Sequence, residues 1–289
     1  MDWLTDHKLP IGKGVQALVD WITANGAWFF DGLARVLEAM IGAILWLLQA
    51  PHPLIVVAAL TALAFAIRRS VPFAAFAAAG LLLIINQGYW EETTETLALV
   101  IASTIVCMGI GVPVGIAAAH RPVFYAWLRP VLDLMQTIPT FVYLIPALIL
   151  FGLGMVPGLI ATVVFALPAP IRLTQLGVSS TPKALIEAGE AFGATGWQLL
   201  WKIELPHALP QIMAGITQTI MLSLSMVVIA ALVGADGLGV PTLRALNQVN
   251  IAKGFEVGLA IVLVAIILDP LFRAGRTGGP NGSAPSRMF

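Results

Sequence analysis

The chain has 289 residues, 59% of them hydrophobic and only 10% charged, with a mean hydropathy of +0.93 and a formal net charge of zero. Apolar surface on this scale needs lipid, which excludes a soluble domain, and scattered basic residues argue against nucleic acid as a partner. The lone cysteine, Cys107, lies in an apolar run; it excludes an internal disulfide framework and a cysteine-based metal site, and reads as a small core residue.

In chain order, residues 1–13 read as a polar tail that lacks the basic start and apolar run of a cleavable signal. From Val15 to Leu48 apolar residues recur at helical spacing, while Asp31, Arg35 and Glu38 share one face at i, i+4 and i+7. Three charges on one face are costly inside a bilayer and cheap at its surface. Residues 1–50 are therefore expected to hold interfacial amphipathic helices, with Trp21, Trp28 and Trp46 at headgroup depth. An extra span over 33–49 is the alternative. Seven spans follow, at 53–67, 71–85, 97–119, 131–151, 155–178, 208–234 and 254–272. The first two fall short of the roughly 20 residues a bilayer needs. An acidic loop holds Glu91, Glu92 and Glu95, and a basic loop runs from Arg121 to Arg129. Asp133 opens the fourth span as an interfacial or paired group, and Pro168, Pro170 and Arg172 stand late in the fifth. The expected fold is all-α and polytopic: a tail at 1–50, a transmembrane domain at 51–273 and a tail at 274–289.

Between the fifth and sixth spans lies a polar stretch, 181–206, carrying five of the thirty charged residues. Lys183, Glu187 and Glu190 form one stripe of a short helix, and Leu185, Ala188 and Phe192 another. Thr181-Pro182 reads as its start, Gly193 as a left-handed stop, Thr195-x-x-Gln198 as a capping box opening a second short helix, and Pro206 as the end of that helix. A polar helix pair between two membrane-length runs is a surface presented to something in water.

The order Glu187-Ala188-Gly189, then Gly193, then Ile203-x-Leu205-Pro206 resembles the EAA loop of ABC-importer permeases, with Gly189 where that family often has alanine. The resemblance implies a coupling helix that docks on a cytoplasmic ATPase subunit. The runs Leu132-Asp133-Leu134-Met135-Gln136-Thr137-Ile138-Pro139, Phe141-Val142-Tyr143-Leu144-Ile145-Pro146 and Ile171-Arg172-Leu173-Thr174 are similar to permeases of glycine betaine, proline betaine and choline importers. So is the run from Thr219 to Ala230. This likeness implies a type I importer transmembrane domain that works as a pair of copies over an ATPase dimer. An extracytoplasmic binding protein would hold the substrate, in the bacterial inner membrane. If the 181–206 loop is cytoplasmic, alternation places Arg68, Arg69, Arg121, Arg129, Lys183 and Lys202 inside and the acidic loop outside. Arg244 and Lys253 are exceptions. The C-terminus falls inside, and the N-terminus outside if the early helices are interfacial.

No G-x-x-x-x-G-K followed by serine or threonine occurs, so no cofactor is expected on this chain; Mg-ATP would bind the partner subunit, and the chain is not itself an enzyme. Coupling would run through Glu187, Ala188, Gly189, Gly193, Ile203, Leu205 and Pro206. Candidates for the path are Thr217, Gln218, Thr219, Ser223, Ser225 and Met226; the alternative for each is helix–helix packing. Pro139, Pro146, Pro168 and Pro170 are candidate kinks or gates, or shape packing. Most tryptophans fit an interfacial belt, so no high-affinity substrate cage is expected here. Gly234 to Gly239 is a candidate surface for the binding protein, and Gly111-x-x-x-Gly115 receives no function. Two rivals stand: a permease for another small solute such as an amine oxide or amino acid, and a secondary transporter driven by an ion gradient, which the charge-poor central spans disfavour.

Overall fold

A computed structural model describes residues 11–273, and among them every regular element is a helix. The tail expected at 274–289 lies outside the described residues. The helices are α1 (Ile11–Gln49), α2 (Pro53–Arg68), α3 (Val71–Asn86), α4 (Trp90–His120), α5 (Pro122–Thr137), α6 (Thr140–Phe151), α7 (Met155–Ala166), α8 (Pro168–Ser179), α9 (Lys183–Ala191), α10 (Gly196–Leu199), α11 (Leu205–Ala230), α12 (Gly239–Asn247) and α13 (Ile251–Arg273).

Among the described residues four segments are long and apolar enough to cross a bilayer on their own: Trp90–His120, Met155–Ser179, Gly196–Val233 and Ile251–Asp269. Two further crossings result if each of two bent pairs counts as one, α1 with α2 (98°) and α5 with α6 (94°). The seven spans read from sequence are therefore drawn differently. The basic loop expected from Arg121 to Arg129 is instead the first half of α5, with Arg121 at its N-cap, and the span expected at 131–151 is broken. Pro139 supplies the reason. It has no amide to donate, and it pushes Ile138 out of the helical region to φ −65°, ψ 129°. The early region, expected as one or two helices, is one 39-residue helix, and Leu37 and Ile41 are buried against Ala98, Leu99 and Leu159 of α4 and α7.

The centre is a three-helix column in which α8 packs between α4 and α11. Lipid tails are as apolar as leucine, so helices associate here through close packing, which small residues permit. A Cβ on Gly111 would lie 2.8 Å from Pro170 Cγ, and one on Gly115 2.6 Å from Thr174 Cβ and 2.7 Å from the Ile171 carbonyl oxygen. On the other flank a Cβ on Gly177 would lie 3.0 Å from Ala208 Cβ, and one on Gly215 3.3 Å from Pro170 Cα. Gly111-x-x-x-Gly115, given no function in the sequence, is the seam on which α8 sits. Pro170 is the wedge between both neighbours, while Pro168 only opens α8 and Pro146 lies within an unbroken α6.

Candidate coupling site and translocation face

At one end of the column α8 passes into the polar arm. α9 closes with a Schellman motif: Ala194 N–H donates to Gly189 O (3.0 Å), Gly193 N–H donates to Glu190 O (2.8 Å), and Gly193 takes φ +75°. Thr195 and Gln198 then form the expected capping box, each side chain accepting from the other's backbone amide. Two local expectations differ. Thr181 makes no cap bond; its hydroxyl is buried without a partner and Pro182 precedes the helix instead. Pro206 ends nothing, because the chain continues from α10 through a π-helical turn, Leu200–Glu204, into α11. Pro206 cannot donate to the Lys202 carbonyl, and the wider turn, with Leu205 N–H donating to Leu200 O, absorbs the misfit.

The arm folds on itself through Gly189. A Cβ there would lie 2.6 Å from both Ile203 Cδ1 and Leu199 Cδ2, so these two side chains occupy the space an alanine methyl would take. Nothing in α9 is buried. Glu187 and Ala188 face solvent, as do Leu185, Phe192 (92% exposed), Trp197 and Trp201, the two indoles meeting edge-on at 5.5 Å. Ile203 and Leu205 are half-buried and Pro206 exposed.

A link that no local pattern announces ties the arm to the column. Glu204, in the π-helical turn, is buried, and its carboxylate lies 2.9 Å from Nε2 of His120, the last residue of α4. His120 Nδ1 lies 3.0 Å from the Ile116 carbonyl oxygen of its own helix, which fixes the ring over the end of α4. The imidazole therefore bridges the coupling arm and α4.

Of the candidate path residues, Ser223 is buried and accepts from the Ser103 hydroxyl of α4 (2.9 Å), Thr219 is buried and donates to Gly215 O, and Met226 is buried beside Leu144 and Ala161. Thr217 is half-buried and bonds Met213 O. Only Gln218 and Ser225, seven residues apart, share an exposed face. Asp133 is paired: Arg172 Nη2 donates to its Oδ1 across α8 and α5.

At the far end Glu91, Glu92, Glu95, Asp236 and Arg244 line an open polar cleft. Beside it the Tyr89 hydroxyl faces Glu256 at 3.5 Å, and burial, then Glu256, raise its pKa above the usual phenol value. The run from Gly234 to Gly239 is a packed turn more than a surface: Ala235 and Leu238 are buried, and Leu238 N–H donates to Thr96 Oγ1.

A column of apolar helices long enough to cross a bilayer, carrying an exposed helix-turn-helix arm, is the architecture of a membrane transport subunit. The chain belongs to the family described as binding-protein-dependent transport system inner membrane component, whose profile matches residues 111–274. It is 46% identical over 262 residues to the glycine betaine transport system permease protein OpuAB of Bacillus subtilis, covering 91% of this chain and 93% of that one. It is 41% identical over 285 residues to the glycine betaine/proline betaine permease ProW of Escherichia coli, covering 98% and 75%. Inward-facing structures of the MetNI methionine ABC transporter match with a TM-score of 0.55 at 26% identity, over 63% of this chain and 90% of that chain. The fold is that of a type I ABC importer transmembrane domain.

Proposed function

We propose that this chain is the permease through which an ATP-driven importer carries glycine betaine, proline betaine or a related quaternary ammonium compound. Two copies would form the path, an ATPase dimer would bind Mg-ATP, and a binding protein would deliver the solute. The supporting observation is the arm: an exposed helix, α9, held by a Schellman turn, a capping box and the Glu204–His120 bridge, so that a push on Glu187 or Phe192 reaches α4 and α11. Rigid-body movement of the column then follows closure of the ATPase. The substrate class rests on the printed names of the relatives. The arm and the C-terminus are cytoplasmic in this reading and the acidic cleft faces outward, in keeping with the excess of arginine and lysine on the arm side.

The test is uptake by proteoliposomes holding the permease, ATPase and binding protein. ATP-dependent accumulation of labelled glycine betaine is expected, and none when the ATPase is omitted; accumulation by the permease alone would refute the reading. Trimethylamine N-oxide forms a second arm of the assay, because the chain is also 36% identical over 248 residues to the permease TmoV of Ruegeria pomeroyi, named for that solute.

A further inference from the structure

We propose that the Asp133–Arg172 ion pair is a charge station on the translocation path, where a solute bearing both a cation and a carboxylate exchanges partners with the pair. This rests on the permease reading above and specifies its substrate contact. The two side chains are 52% and 35% exposed on this chain. Arg172 stands seven residues before Ser179, where α8 ends, so the pair lies roughly 10 Å along the helix axis from the coupling arm. An ion pair left exposed beside a segment apolar enough to span a bilayer (Met155–Ser179) is costly against acyl chains, so it faces water or protein.

The backbone points the same way. The chain breaks by 94° between α5 and α6, at Ile138 and Pro139, both exposed. Backbone interrupted at membrane depth is tolerated where it lines a water-filled cavity or is covered by protein. The only buried residue of α5 is Leu132, next to Asp133. On α8, Pro170, Thr174 and Gly177 are spent on α4 and α11, which turns Arg172 and Leu176 to the free side. Thus the face that carries the charges is also the face that this chain leaves uncovered.

The pair has capacity for a ligand. A guanidinium offers five N–H donors in a planar fork, and the bond to Asp133 uses one of them, on Nη2. Arg172 can therefore donate to a second carboxylate through its remaining Nη hydrogens without first releasing Asp133. A quaternary ammonium has no N–H to give, so its attraction to Asp133 is ionic and undirected, while the solute carboxylate takes the directed bonds. A zwitterion fits both members; a simple cation fits one.

The experiment uses the full complex in proteoliposomes with Cys107→Ser as background. Asp133→Cys is exposed to methanethiosulfonate ethyltrimethylammonium, a charged thiol reagent that is itself a quaternary ammonium, beside Val262→Cys on the exposed apolar face of α13. Modification of position 133 at least about tenfold faster than 262 is expected, since a fixed charge does not enter lipid. Equal or slower modification would overturn the proposal. In parallel, the double variant Asp133→Asn/Arg172→Gln keeps a neutral hydrogen bond between the helices, as a purely structural role requires. Betaine moved per ATP hydrolysed is expected to drop by about tenfold or more, and wild-type uptake in this variant would also overturn it. A wild-type complex that moves no betaine refutes the permease reading instead, and leaves the labelling contrast to decide the location of the pair.

Discussion

Gly115→Ala is expected to destabilise the chain, and Gly109→Ala, six residues earlier on the same helix, is expected not to. A Cβ at 109 meets nothing within 4 Å, whereas at 115 it would lie 2.6 Å from Thr174 Cβ, 2.7 Å from the Ile171 oxygen and 3.0 Å from Thr174 Cγ2. Carbon atoms at rest sit about 3.5–4.0 Å apart, so the overlap with Thr174 is roughly 1 Å. Neither obstacle can rotate away, one being a Cβ fixed to its backbone and the other a carbonyl. α8 must therefore back off from α4, loosening Pro170 against Gly111 as it goes. Overpacking of this kind costs about 1–3 kcal/mol, and obstacles anchored in the backbone place it near the upper end. Both variants gain the same helix propensity, about 1 kcal/mol for alanine over glycine, so their difference isolates the clash.

The assay is the loss of monodisperse protein after heating in detergent, followed by size-exclusion fluorescence for the wild type and both variants. A gap of 2–3 kcal/mol corresponds to a fall in the melting midpoint of roughly 5–10 °C between the alanine variants, on the scale for domains of this size. Coincident melting curves would refute the seam. They would show that α8 is held to α4 by something other than close approach at Gly115.

Three further outcomes follow from the arm. Glu187→Ala and Gly193→Leu are expected to uncouple ATP hydrolysis from uptake while insertion persists; Gly193 has φ +75° and open space around it, so its replacement costs backbone strain of about 1–2 kcal/mol without a clash. Normal solute-to-ATP ratios in both variants would remove the coupling role. His120→Ala deprives the buried Glu204 carboxylate of its partner. The usual penalty of about 3–5 kcal/mol for breaking a buried pair is cut to about 1–2 because the imidazole is 46% exposed, and an unchanged melting midpoint would dissolve the bridge. Finally, Gln198→Cys is expected to react with impermeant thiol reagents from the cytoplasmic face only, and labelling from outside would invert the topology.

The arm was largely legible because its grammar is local. A glycine stop and a capping box are satisfied within three to five residues, and both appear where the spacing puts them. Two errors were also local in origin. Thr181 looks like a cap and Pro206 like a terminator, yet a proline in the first turn of a helix is as welcome as one after its end, and only the wider turn at Leu200–Glu204 decides between them. Hydropathy found the apolar runs but not their breaks: 131–151 is mostly apolar despite Asp133 and Gln136, and its 94° bend turns on a single proline, Pro139, that an average over the run does not weigh. The Glu204–His120 bridge joins residues 84 positions apart, and the Asp133–Arg172 pair 39, distances at which one sequence carries no pairing signal.

The polar residues of α11 show what composition leaves open. A hydroxyl in an apolar helix must find an acceptor, and its own helix offers one: Thr217, Thr219 and Ser225 each donate to the carbonyl four residues earlier. Ser223 is also satisfied, through Ser103 of α4, which fastens the two spans to each other. A hydroxyl therefore says little about water, because it is satisfied wherever it points. Full charges are different, since a charge has no low-cost place against acyl chains wherever its side chain turns. By that criterion the Asp133–Arg172 pair says more about where water or protein reaches than the hydroxyls of α11 do.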